Sequence, residues 1–138
     1  MFRFAQWCDR LPGPLRWLGW PHRAAYTLIV IWELGIELNY RAQIGPGLRL
    51  FHGTALVIHE KSHIGSNCTL RHCTTIGMRN GDDDVPVIGD NVDIGSNSVL
   101  IGKIHIGDGA RIGAGSVVVS DVPAGTSVAG NPARPLKP

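Results

Sequence analysis

Two histidines stand where they could move a proton. His52 lies in Leu50-Phe51-His52-Gly53-Thr54 and His72 in Leu70-Arg71-His72-Cys73-Thr74, each two residues after a leucine. Imidazole is the side chain best suited to take a proton from a hydroxyl near neutral pH, so a base acting on an alcohol is the first chemistry to consider. A second group, His59 and His63 flanking Glu60, could begin a zinc site. No third ligand at matching height is evident for it, and that weighs against a metal.

Whether His52 and His72 meet depends on the elements that carry them, and a repeat announces these. Ile58, Ile64, Leu70, Ile76, Ile88, Ile94, Leu100, Ile106, Ile112 and Val118 recur every six residues, with Asp82 the single break. Small or β-branched residues such as Ser62, Cys68, Thr74, Val92, Ser98, Ala110, Ser116 and Val122 fill the fifth place of the unit. A period of six fits neither a helix nor plain alternation; it fits a short extended segment followed by a tight corner. Ser66-Asn67, Asp90-Asn91, Ser96-Asn97 and Asp108-Gly109 supply residues that tolerate such corners. Three segments close one triangular coil, and stacked coils pair as parallel strands about 4.8 Å apart. The expected fold is an all-β parallel β-helix of about four coils.

The phase of the repeat tells which polar residues stack. Leu50 and Ile58 are eight apart, so one corner holds two extra residues. The twenty residues between His52 and His72 therefore equal one coil plus that insertion, and the two imidazoles should lie one above the other. Asp90 and Asp108 are expected to continue the same column as solvated corner residues. The segment from Met78 to Val87 interrupts the column at Asp82 and is read as a loop leaving the rod.

Composition agrees with one such domain. The chain has 138 residues, 43% of them hydrophobic, and a formal net charge of +2. That charge is too mild, and the basic residues too scattered, for a nucleic-acid partner. Cys8, Cys68 and Cys73 cannot all pair, which favours a reducing, cytoplasmic setting. Met1 to Arg10 shows no secretory-leader pattern, and the apolar stretch from Ala24 to Trp32 is too short to span a bilayer. Residues 1–36 hold all four tryptophans, and the part after Pro21 reads as helical. Interleaved Trp and Arg there keep a peripheral membrane contact open. The expected organisation is a short helical N-terminal segment over 1–36, a coil over 37–123 and a tail over 124–138.

Longer stretches carry a resemblance. Leu50 to Ile58, Leu70-Arg71-His72-Cys73-Thr74-Thr75-Ile76-Gly77, and the ending from Ile112 through Asp121-Val122-Pro123 to Ala129-Gly130-Asn131-Pro132-Ala133-Arg134 look like the hexapeptide-repeat acyltransferases. Within them the chain resembles the serine acetyltransferase branch, and most of all its colanic-acid-type exopolysaccharide O-acetyltransferases. The resemblance implies a left-handed β-helix, a homotrimer, and acetyl-CoA as acyl donor in a groove between rods, with no metal. It implies His52 as the catalytic base and Glu37 as the carboxylate that orients it, and makes His72 a candidate for the oxyanion. Gly77, Met78, Ser96 and Ala114 match the strip where the family's pantetheine runs. Arg79, Lys103, Arg111 and Arg134 are the nearest cations for its phosphates.

Departures from that branch bear on the acceptor. Phe51 stands where the family carries an acid before the histidine, and Asp84-Val85 replaces an Arg-His pair ahead of Pro86. The clamp for an amino acid is thus absent, and a sugar hydroxyl in exopolysaccharide biosynthesis becomes the expected acceptor, with L-serine the alternative. Two other readings are a γ-type zinc carbonic anhydrase, built from His59 and His63, and a non-catalytic scaffold.

Overall fold

Short extended segments and tight corners alternate from residue 37 onward. The computed structural model describes residues 1–81 and 83–136, so Asp82, the break in the column, lies outside the described residues. Strands β1 (Glu37–Leu38), β2 (Gln43–Ile44) and β3 (Arg49–Phe51) form the first coil. β4 (Val57–Ile58), β5 (His63–Ile64) and β6 (Thr69–Arg71) form the second, and β7 (Thr75–Gly77), β8 (Val87–Ile88) and β9 (Asp93–Ile94) the third. β10 (Val99–Ile101), β11 (His105–Ile106) and β12 (Arg111–Ile112) make the fourth. β13 (Val117–Val118), a bridge from Val122 to Ile106 and β14 (Ser127–Gly130) make the last.

Every third strand joins the same face. The first face runs β1-β4-β7-β10-β13, the second β2-β5-β8-β11 and the third β3-β6-β9-β12-β14, all parallel. The first face has five strands, one more level than the four coils expected. The fifth level is already present within 37–123, since β13 pairs with β10, and pairing also runs on past residue 123: β14 pairs with β12, and β15 (Ala133–Pro135) folds back antiparallel on β14.

The aliphatic column is the core. All ten of its members are at most 3% exposed, and each such burial contributes about 1.5–3 kcal/mol. The small fifth-place residues are buried beside it; Thr74 Oγ1 donates to the Arg71 carbonyl at 2.8 Å and Ser98 Oγ to that of Gly113 at 3.2 Å, while Ser62 Oγ has no partner among the described residues. Cys68 takes the same slot as a small apolar group. Burial pushes its thiol up, which keeps it neutral and unreactive.

Helices cap the open end of the rod. α1 (Phe2–Asp9) is followed by a 3-10 helix (Gly13–Gly19), α2 (Trp20–Tyr26) and a π-helical stretch (Thr27–Glu33), so helix extends well ahead of Pro21. Arg3 Nη1 donates to the Ile44 carbonyl at 2.7 Å and Gln6 Nε2 to that of Ala42 at 3.0 Å. Tyr26, 1% exposed, donates its hydroxyl to the Leu38 carbonyl at 2.6 Å. These side chains occupy first-coil carbonyls that no preceding coil can satisfy. Among the described residues no helix is long and apolar enough to cross a membrane.

Burial moves the Tyr26 phenol from the ordinary 10.0 up to about 12. The folded protein then holds a proton that the unfolded chain releases first, so Tyr26 supports the fold fully below pH 10.0 and progressively less up to about 12. Tyr26→Phe should cost about 1–2 kcal/mol at neutral pH, because the Leu38 carbonyl loses its donor. It should also remove the part of the alkaline stability loss that Tyr26 causes. Urea melts of both proteins across that range check this, and parallel curves would contradict it.

Candidate active site

The corner between the third and first faces carries the histidines. Leu50 pairs with Leu70 and Phe51 with Arg71, which sets His52 over His72. Their ring centroids lie 6.2 Å apart in a T-shaped arrangement. The two extra residues sit in this corner: His52 and Ala55 both adopt left-handed backbone, at φ 54 and 53, whereas the corner above has only Cys73 there, at φ 55. A non-glycine residue held in that region costs on the order of 1 kcal/mol and is retained where surrounding structure over-determines it. His52 is exposed, and Nδ1 of His72 is buried without a hydrogen-bond partner among the described residues.

The column continues differently from the sequence expectation. Thr69 pairs with Asp93, twenty-four residues on, because the 78–87 segment adds one whole unit to its coil. Ser96 and Ala114 therefore follow His72, with Asn97 N–H bonding the His72 carbonyl at 3.1 Å and Gly115 N–H that of Ser96 at 2.8 Å. Asp90 and Asp108 belong to another corner, between the second and third faces, above Pro46 and Ser66. Their carboxylates tie successive coils together, since Asp90 Oδ1 accepts from Ser66 N–H at 2.6 Å and Asp108 Oδ1 from Asp90 N–H at 2.8 Å. Gly65 is required beneath them, since a Cβ there would stand 2.4 Å from Asp90 Oδ1.

The other site candidates fall into two groups at opposite edges of the first face. Ser96 and Ala114, which follow His72 in its corner, line with Arg71 and Arg111 a cleft of about 360 Å³ that opens onto the third face. Gly77, Met78, Arg79 and Lys103 gather at the far edge, where Gly77 pairs with Ile101 and Lys103 N–H bonds Asp84. Arg134 lies on β15, and its Nη1 donates to the Ala133 carbonyl at 2.9 Å. Glu37 is exposed on the first face, opposite Val57, and among the described residues forms no hydrogen bond with His52. Ile36 before it would touch a Cβ on Gly53 at 3.4 Å, which sets this strand beside the His52 corner.

The structure also brings forward residues that the sequence reading passed over. Arg71 pairs with Asp93 and places its guanidinium 6.0 Å over the half-exposed Phe51 ring, next to His52. Both ends of that pair sit one residue from the aliphatic column, a signal readable only with the twenty-four-residue step in hand. Around His59 and His63, Asn39 Nδ2 donates to Glu60 at 2.9 Å and Gln43 bonds His63 at 3.2 Å. Among the described residues no three His, Cys, Asp or Glu side chains group as metal ligands.

Stacked six-residue units that close a three-faced rod define a hexapeptide-repeat protein. The bacterial transferase hexapeptide family, described by six repeats, matches residues 86–120. Serine acetyltransferase 1 of Arabidopsis thaliana is 46% identical over 104 residues, covering 74% of this chain and 33% of that protein. WcaB of Escherichia coli (strain K12), which bears the provisional name of a colanic acid biosynthesis acetyltransferase, is 37% identical over 115 residues, covering 83% of this chain and 71% of that one. The Neisseria gonorrhoeae serine acetyltransferase in complex with serine superposes with a TM-score of 0.76 at 42% identity, over 88% of this chain and 51% of that one. The chain belongs to the hexapeptide transferase family, in its serine acetyltransferase branch. Its rod is a left-handed parallel β-helix, as in the solved structures of that branch. It spans about a third of the length of the plant serine acetyltransferases it matches.

Asp90→Ala should cost about 1–2 kcal/mol, because the Ser66 N–H loses a charged acceptor, and Asp90→Asn should recover much of it. Chemical denaturation of the three proteins checks this. Equal midpoints for all three would remove the ladder from the account.

Proposed function

We propose that the chain is an acetyl-CoA-dependent O-acetyltransferase acting on a sugar hydroxyl in exopolysaccharide biosynthesis, as a homotrimer in the cytoplasm. The observation that carries the reading is the His52–His72 corner beside the cleft of Ser96 and Ala114. Membership of a family whose named relatives are acetyltransferases supports it. The donor supplies a thioester carbonyl. Neutral His52 takes the proton of the acceptor hydroxyl as that oxygen attacks, then returns it toward the leaving thiol. Glu37, from the neighbouring strand, is assigned to hold the imidazole and stabilise its charged form. His72, whose Nδ1 has no protein partner among the described residues, is assigned to face the charge that develops on the carbonyl oxygen.

Small residues at Gly77, Ser96 and Ala114 leave the backbone approachable by a pantetheine arm. They lie at opposite edges of one face, so a continuous strip requires the edge of one rod to meet that of a neighbour. Met78, Arg79, Lys103, Arg111 and Arg134 are the flanking residues, the four cations suited to phosphates. Trimerisation would supply that cleft. Three free cysteines fit a reducing cytoplasm.

For the acceptor, Phe51 decides. An exposed aromatic ring beside the base offers a flat surface to the C–H face of a sugar, where the branch carries an acid. L-serine is the second reading, favoured by the identity to plant and bacterial serine acetyltransferases.

Thiol release from acetyl-CoA, measured against L-serine and a panel of sugars, tests the assignment. A sugar should support the faster turnover, and His52→Ala should lower it by about 10²–10⁴ with secondary structure intact. Faster turnover with serine would transfer the acceptor to the amino acid. An undiminished His52→Ala enzyme would remove that residue as the base.

A further inference from the structure

The helical segment carries a surface that neither the rod nor the proposed chemistry uses. Trp17, Trp32 and Leu18 are 82%, 77% and 76% exposed, and Trp20 and Leu28 are also exposed. A cleft of about 480 Å³ lined by Phe4, Trp7, Leu11, Leu15 and Leu18 opens in the same segment. Large exposed aromatics in this number mark a surface made for contact. Charge indicates with what. Arg3, Arg10, Arg16 and Arg23 against Asp9 and Glu33 leave residues 1–36 with the whole net charge of +2, while the remaining residues hold nine acidic and nine basic side chains.

A twofold contact with a second copy would set the same positive segment against itself, and like charges across an interface oppose association. An anionic bilayer complements it. Tryptophan seats its ring at the headgroup boundary, arginine buries its stem while its head meets phosphate, and an apolar cleft admits acyl carbons. We propose that the N-terminal helices dock the protein on an anionic phospholipid surface, with Trp17, Leu18 and Trp32 entering the headgroup region. This docking does not depend on the acyl-transfer reading, and its test uses no acyl donor.

All four tryptophans lie in this segment, so their emission reports on it alone. The full chain is titrated with vesicles of phosphatidylcholine, with or without phosphatidylglycerol, and then sedimented with them. The expected result is a blue shift and co-sedimentation on the phosphatidylglycerol vesicles, with much less on phosphatidylcholine alone. Trp17→Ser combined with Trp32→Ser should weaken binding by about tenfold or more, since both rings are exposed and their loss leaves the circular dichroism unchanged. Unshifted emission on the anionic vesicles, or equal binding by the double variant, would overturn the proposal. So would a blue shift without lipid that tracks a doubling of the sedimenting mass, which would assign the surface to a second copy.

Discussion

Each coil of this rod is held to the next by main-chain hydrogen bonds between residues about one turn apart, and everything else is placed by that stacking. Glu37 N–H bonds the Leu56 carbonyl, Val57 N–H that of Thr74 and Thr75 N–H that of Ser98, at 2.8, 2.9 and 2.8 Å. Because the ladder is parallel and the coil triangular, a residue has the same neighbour type above and below. A column of aliphatic side chains inside implies columns of corner residues outside. The proposed site is one of these outer columns.

Regularity alone would make a featureless prism, so function must use the departures. Two extra residues bend the corner at His52 into left-handed backbone twice, at the end of a column that continues through His72, Ser96 and Ala114. Six extra residues between Met78 and Val87 build a loop at the far edge of the same face, fastened to it where Asp84 accepts from the Lys103 backbone. Both insertions leave the column of Ile58, Ile76 and Leu100 unbroken, since they enter at corners, where the backbone is already out of the ladder.

Most of the architecture is legible in the chain because the period of six is set by burial. All ten positions of the column from Ile58 to Val118 are buried, although Leu50 in the first coil is exposed, and His52 falls over His72 because a two-residue insertion can be counted from Leu50 to Ile58. The Asp90 and Asp108 column was not legible. A step of eighteen assumes no extra unit, whereas the 78–87 segment, read from the sequence as a loop leaving the rod, lengthens that coil by six residues and moves the column to Ser96. The Arg71–Asp93 pair was hidden by the same shift. The helical character of 1–36 was legible as a segment, but the individual elements ahead of Pro21 were not, because their apolar residues are largely exposed and lack the one-sided pattern of a packed helix. Which carboxylate meets His52 is not written in register at all, for it depends on side-chain rotamers and on neighbouring chains.

A crystal structure of the assembled protein with coenzyme A bound tests the central claim most directly, that the irregular histidine corner forms one wall of a cleft between rods. The account predicts the thiol beside His52, with the far edge of a neighbouring chain's first face closing the other side. A thiol bound elsewhere, with His52 open to bulk water and no second chain nearby, would contradict it.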